Sequence, residues 1–308
     1  MMSGLAIYFL NSLVGRVVRS VTLTIIDARG RARSHGSGPP HVAIRLTNPS
    51  LYGRILTNPE LAVGEAYMDG ELIVAEGDLR EFLQLFHQNK SNLRKRPLRR
   101  GLASLVKKVR RVHQANPVGR ARENVAHHYD ISNDFYRLFL DKDMAYSCAY
   151  FEHDGQSIED AQQAKYRHIA AKLRIEPGMR VLDIGCGWGG MAMFLAERLG
   201  ARVVGVTLST EQRDLAEARA KERGLADLVE FRLADYRHLS ETFDRIVSIG
   251  MFEHVGAPHY KEFFRKLSDL LEDDGLALIH SIGKRGEPGV TGPWIRKYIF
   301  QGGYSPSL

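Results

Sequence analysis

Val181-Leu182-Asp183-Ile184-Gly185-Cys186-Gly187-Trp188-Gly189-Gly190 joins a short apolar run to closely spaced glycines. Val181, Leu182 and Ile184 read as a buried parallel strand, and Met191 to Leu199 continue as a helix that Gly200 stops. The glycines therefore occupy a strand-to-helix turn. Backbone without Cβ atoms comes close to a nucleotide-like ligand there.

Two ligand patterns fit this turn. Gly185, Gly187 and Gly190 satisfy the dinucleotide spacing G-x-G-x-x-G, which needs an acid about 20 residues further on to hold a ribose. The next strand, Arg202 to Thr207, runs instead into Leu208-Ser209 and carries no carboxylate. Asp183 with Gly185, Gly187 and Gly189 resembles the first motif of S-adenosylmethionine-dependent methyltransferases. A tight turn that only packs helix on strand is the bland alternative.

A chain of 308 residues with 44% hydrophobic residues has room for two domains with real cores. Its two cysteines, Cys148 and Cys186, lie in no metal-ligand spacing, so neither a disulfide framework nor a bound metal is expected, and a cytoplasmic location follows. Leu5 to Leu10 is too short to span a bilayer, which takes about 20 apolar residues, and reads as a packed or surface-seeking helix. Charge is concentrated. Residues 90–122 hold twelve basic residues and no acid, whereas the rest of the chain holds 31 basic against 36 acidic ones. Leucines and valines recur among those charges at helical intervals, which suits an anionic membrane surface; a solvated basic linker fits equally well. Nucleic acid is disfavoured because no aromatic residue stands there to stack bases.

Ser20 to Ile26 and His41 to Thr47 alternate as strands and read as a hairpin with the long loop Arg29 to Pro40. Helices follow Asn48-Pro49 and Asn58-Pro59, and Asp78 caps a helix whose apolar face is Leu79, Phe82, Leu83 and Phe86. The expected division is an α+β domain over 1–89, a basic linker over 90–122 and a third segment over 123–308. In that third segment strands are expected at Arg180 to Ile184, Arg202 to Thr207, Val229 to Leu233, Phe243 to Ile249 and Gly275 to Ser281. Helices open at Ser157 with Asp160 and at Ser209 with Gln212, and another runs from Tyr260 to Leu271. This alternation predicts an α/β, doubly wound, largely parallel sheet.

Several segments together match one family: 123–133 (ENVAHHYDISN), 146–151 (YSCAYF), the glycine turn, Thr207-Leu208-Ser209 with Gln212, Glu253-His254-Val255-Gly256 and His280-Ser281-Ile282-Gly283. The chain resembles the cyclopropane-fatty-acyl-phospholipid synthases and the related mycolic acid cyclopropane synthases over nearly its whole length. The resemblance implies a Rossmann-like class I methyltransferase fold behind a small α+β domain of lipid-binding type. It also implies that Tyr146, Ser147, Asp183, Gly185, Gly187, Gly189, Thr207, Leu208 and Gln212 bind S-adenosylmethionine, with Asp235, Tyr236 and Arg237 near its adenine.

The implied reaction moves a methyl group to the cis double bond of an unsaturated phospholipid acyl chain. The resulting carbocation loses a proton from the new methyl and closes a cyclopropane ring. In the family that proton goes to a bicarbonate ion, which Cys148, Glu253 and His280, with the backbone near Ile282, match the positions to hold. Carboxylate and bicarbonate repel, so either Glu253 is protonated or the anion shares its proton with it. His128 and Tyr129 lie close to the family's acyl-site segment, and Trp188 reads as packing beside the turn. Loss of a different proton gives a methyl- or methylene-branched chain, so a fatty-acyl C-methyltransferase stays open, as does an inactive lipid-binding homologue. Together with the basic stretch 90–122, this reading gives peripheral attachment at the inner face of the membrane and leaves a homodimer open. Family members continue past the position of Leu308 through the last strands of the sheet and a further tyrosine of the bicarbonate site. A sheet without its last two strands is therefore the expectation, and whether a chain cut there folds and is active stays open.

Overall fold

A computed structural model describes residues 2–94, 133–286, 291–300 and 302–307. Contacts divide the chain into two compact units, Met1–Val109 with Gly292–Lys297, and Arg110–Thr291 with Tyr298–Leu308. The basic stretch at 95–122, and with it His128 and Tyr129, lies outside the described residues.

In the first unit, helix α1 (Met2–Val17) precedes strands β1 (Thr22–Ile26), β2 (Ala32–His35) and β3 (His41–Leu46). Helices α2 (Leu51–Thr57) and α3 (Pro59–Met68), strand β4 (Leu72–Glu76) and helix α4 (Leu79–Arg94) follow. The sheet order is β2-β1-β3-β4. The expected hairpin is wrong, because β1 and β3 pair in parallel. The presumed loop contains β2, which turns back antiparallel on β1. Asp27 makes that turn: its carboxylate accepts from the backbone N–H groups of Arg29 and Arg31 and pairs with the Arg31 guanidinium. β4 carries no clear alternation and was not expected. Asp78 and Glu81 cap α4 reciprocally, each accepting from the other's backbone N–H. The expected apolar face of α4 is also corrected. Phe82 and Leu85 are buried, whereas Leu79, Leu83 and Phe86 face outward.

The second unit begins its described part with α5 (Asn133–Arg137) and α6 (Ile158–Leu173). Strand β5 (Arg180–Ile184), helix α7 (Gly190–Leu199), β6 (Arg202–Thr207), α8 (Thr210–Glu222), β7 (Val229–Leu233), β8 (Phe243–Ile249), α9 (Tyr260–Leu270) and β9 (Leu271–His280) follow. All five strands are parallel, in the order β7-β6-β5-β8-β9. Alternate residues serve two cores. Val181, Val203 and Val247 pack with α6, α7 and α8, while Leu182, Ile184, Val206 and Ile246 pack with α9. Strand order reverses between β5 and β8, and a crevice at the carboxyl ends of the strands at such a reversal is where α/β sheets bind ligands. Ser157 and Ser209 cap α6 and α8 as expected, accepting from Asp160 N and Gln212 N. The last helix, α10 (Pro293–Tyr298), contributes to the first unit through residues 293–297. Trp294 there fills the space beside Gly64, and the Lys297 ammonium pairs with Glu65 at 2.6 Å.

The turn after β5 is fixed by crowding. Gly189 has φ +80°, and a Cβ there would stand 2.4 Å from Phe231 Cζ. Gly187 has φ +55° and open space around it. Gly189→Ala is expected to cost about 2–4 kcal/mol by adding a steric clash to backbone strain, and Gly187→Ala only about 1–2 kcal/mol from strain alone. Urea unfolding of both variants checks this; equal losses would contradict the packing described.

Candidate active site

The crevice is lined by Tyr146 and Ser147, the turn from Asp183 to Trp188, Thr207, Leu208 and Gln212, Asp235 to Arg237, and Met251, His254 and Val255. It therefore gathers every cofactor-binding residue expected from the sequence except Gly189, which packs behind the turn on Phe231 and Ala216. The turn itself is pinned by Val206, whose carbonyl accepts from Gly185 N at 2.9 Å and Cys186 N at 3.1 Å.

Several polar groups around the crevice are held by partners, and a few buried ones have none. The Thr207 hydroxyl donates to Gln212 Oε1 at 2.7 Å, which orients the amide. Asp235 accepts from the backbone N–H and the guanidinium of Arg237, and these bonds hold its carboxyl below the usual range against the opposing effect of burial. Tyr236 packs edge-on against Phe263, and burial pushes its hydroxyl up to about 12. Trp188 is buried against Tyr136, and its indole N–H donates to Asn133.

Asp183 is the exception. It is 2% exposed at the base of the crevice, and its Oδ2 has no hydrogen-bond partner. Burial raises its carboxyl to about 7, partly offset by the Lys165 ammonium. Lys165 is itself buried on α6 and donates to Ser147 Oγ at 2.7 Å. Burial lowers it to about 8, while Asp141, Cys148 and Asp183 act in the opposite direction.

A second unsatisfied group lies just beyond. Glu253 Oε1 accepts from the Ile282 N–H at 2.6 Å, but its Oε2 is buried and unpartnered, as are His280 Nδ1 and Ser281 Oγ. Gly250 N donates to the His280 carbonyl, tying this group to the Met251 side of the crevice. Burial lowers the His280 pKa, with Glu253 opposing. Tyr304 N donates to the Glu253 carbonyl, and the Tyr304 hydroxyl meets that of Tyr260. The structure thus brings Glu253, His280 and Ile282 together. Cys148 is exposed on the segment beside Ser147 and near Lys165.

Three participants were missed from the sequence. Lys165 stands four residues from both Ala161 and Ile169, which are buried, so its place on a core stripe was a readable signal. Ser281 gave no such sign. Arg219 donates to the carbonyls of Asp143 and Trp188 and pairs with the Asp143 carboxylate, clamping the segment that leads to Tyr146. That clamp joins residues 76 apart, beyond any local pattern.

Residues 117–308 match the family model described as mycolic acid cyclopropane synthetase. The chain belongs to this family. Residues 11–97 match a second model, of a domain of unknown function. The chain is 43% identical over 282 residues to the cyclopropane-fatty-acyl-phospholipid synthase of Escherichia coli K12, covering 89% of this chain and 69% of that protein. It is 38% identical over 280 residues to a probable fatty acid methyltransferase of Pseudomonas putida, covering 88% and 68%. Among solved structures, mycolic acid cyclopropane synthase CmaA1 complexed with SAH and CTAB superposes with a TM-score of 0.55 at 39% identity, covering 60% of this chain and 70% of that one. The family is one of methyltransferase-class enzymes with the Rossmann-like fold described above.

Because the folded pKa of Asp183, about 7, exceeds its ordinary 3.8, the protonated carboxyl favours the fold at low pH. That contribution is lost as pH rises through about 7, and Asp183→Asn, neutral throughout, lacks this pH dependence. Urea unfolding from about pH 4 to about pH 7 should show the wild type losing stability relative to the variant as pH rises. Parallel curves would contradict the burial of an unpaired carboxyl.

Proposed function

We propose that this chain forms cyclopropane rings on unsaturated phospholipid acyl chains, taking the added carbon from S-adenosylmethionine. The observation that carries this reading is the unsatisfied set Glu253 Oε2, His280 Nδ1 and Ser281 Oγ beside a crevice whose turn is open at Gly187. Buried polar atoms without partners cost free energy, so such a set suits a small polar ligand. Family membership and the relatives' names support the reaction class.

The crevice residues fit the cofactor. Gly187 leaves room for close approach, Gly185 lets the turn pass against Met251, Gln212 is held in place by Thr207, and the unpaired Asp183 oxygen suits an ammonium group. When bound, S-adenosylmethionine supplies an electrophilic methyl group on a sulfonium centre. In our reading Tyr146, Ser147, Asp183, Leu208, Asp235 and Tyr236 orient it, while Gly189 lets the turn close. A bicarbonate ion, when bound, supplies a base for one proton. Glu253, His280 and the Ile282 N–H are assigned to hold it; Cys148, exposed on the segment beside Ser147, keeps its assignment from the family resemblance alone. The unpartnered His280 ring nitrogen faces the same space as the orphan Glu253 oxygen, and an anion there needs either a protonated Glu253 or a proton shared with it.

An alkene needs no deprotonation before attack, so alignment and exclusion of water are the chain's main contributions. Tyr136, Phe139 and Tyr146 form a contiguous aromatic group whose faces tolerate a transient cation. His128 and Tyr129 remain assigned to the acyl site. The chain is read as residues 1–89, 90–122 and 123–308, with the basic stretch meeting an anionic membrane face from the cytoplasmic side. Among the described residues no helix is long and apolar enough to cross a membrane. The similarity to a probable fatty acid methyltransferase supports a second reading, in which the same cation yields a branched chain.

The chain incubated with S-adenosylmethionine, bicarbonate and vesicles of a cis-monounsaturated phospholipid is expected to yield the high-field proton signals of a cyclopropane ring. Glu253→Gln and His280→Ala should each lower kcat by about a hundredfold or more. A branched product with no ring signal would sink the cyclopropane reading in favour of the second.

A further inference from the structure

The first unit carries a feature the catalytic reading does not use. Helix α1 is apolar on two sides and contains no acidic residue. One side packs into the core through Leu10 and Val17, with Ala6, Ile7 and Val14 beside them. The other presents Leu5, Tyr8 and Phe9, which are 63%, 64% and 57% exposed. A helix at a soluble surface normally turns a polar face outward, and this one does not.

Directly beside that exposed side lies a basic edge. From Arg16 to Pro40 the chain has five arginines and one acid, Asp27. Asp27 is already engaged by Arg31 and by two backbone N–H groups of the turn. Arg29, Arg31 and Arg33 are exposed, and β2 is an edge strand with three of its four residues exposed. The two features are stitched together by Asn11 of α1, whose Oδ1 meets His35 Nε2 of β2 at 2.8 Å. Between them is a cavity lined by Ile7, Tyr8 and Asn11 on one side and by Arg33, Tyr52 and the paired Asp27 and Arg31 on the other. Apolar and aromatic side chains therefore stand next to guanidinium groups with no competing free carboxylate.

We propose that this face of the first unit docks on an anionic phospholipid bilayer. Leu5 and Phe9 enter the boundary between headgroups and acyl chains, Tyr8 stands at the level of its polar groups, and Arg29, Arg31 and Arg33 meet the phosphates. Charge complementarity selects this occupant: guanidinium forks match phosphate oxygens, and amphipathic aromatics belong at a membrane interface. Docking here uses residues separate from the crevice and from the basic stretch 90–122, so it stands or fails independently of the catalytic reading.

Phe9→Trp in the full chain is the local reporter, read as the emission added over the wild type, without cofactor. With vesicles of phosphatidylcholine and phosphatidylglycerol the added emission should shift to the blue and be quenched by brominated acyl chains. Removing phosphatidylglycerol or raising salt should abolish both effects. Arg29→Ser with Arg33→Ser, which spares the Asp27–Arg31 pair, should weaken vesicle binding by about tenfold or more, as should Leu5→Ser with Phe9→Ser. Circular dichroism checks that these variants are folded, and the Phe9→Trp signal stands alone if they are not. Solvent-like emission while the chain sediments with vesicles would overturn the proposal, because another segment would then be the anchor. It is equally overturned if Leu5→Ser with Phe9→Ser dissociates a dimer in sedimentation velocity and leaves vesicle binding unchanged.

Discussion

The second unit depends on how closely the backbone after β5 can approach its neighbours. Val206 accepts two hydrogen bonds from the Gly185–Cys186 backbone, and Phe231 occupies the space that side chains at Gly189 and Gly205 would need. These contacts force the chain from strand to helix within a few residues. They leave Gly187 facing open space and bring Asp183 to the floor of the crevice. A bulkier turn would push α7 away from β7 and remove the crevice with it.

Around that turn the polar groups divide into two classes. Asp143, held by Arg219 and Arg223, and Asp235, held by Arg237, are buried and satisfied, so they stiffen the walls. Asp183 Oδ2, Glu253 Oε2, His280 Nδ1 and Ser281 Oγ are buried and unsatisfied. Folding alone gives no return for leaving them so, which is why they, and not the many ion pairs, point to ligands. Lys165 is bonded to Ser147, and its charge lowers the pKa of both Asp183 and His280. A single buried cation thus biases the protonation of both halves of the site.

Much of this was legible in the sequence because it is local. The strands β5 to β8 fall where apolar runs predict them, and the Ser157 and Ser209 caps follow from spacing alone. What failed was long-range. Alternation located β1 and β3 but could not tell that β2 lies beside β1 and reverses the chain between them, making the pair parallel. Helical spacing on α4 could not decide which apolar residues face inward, since Leu79, Leu83 and Phe86 fit the stripe as well as Phe82. The Asp143–Arg219 clamp and the approach of Ile282 N to Glu253 join distant segments, and only the fold reveals them. Glu253 and His280 themselves were found through family resemblance, not through any periodicity.

The central claim is that the glycine turn holds the cofactor with its reactive sulfur toward Glu253 and His280. The most direct measurement is a crystal structure of the chain soaked with S-adenosylhomocysteine and bicarbonate. The account predicts the nucleoside between Gly185–Gly187 and Asp235–Tyr236, the amino group at Asp183 Oδ2, and a planar anion on Glu253 Oε2 and His280. Density for the nucleoside elsewhere, or an ordered crevice with Asp183, Glu253 and His280 still unpartnered, would contradict it.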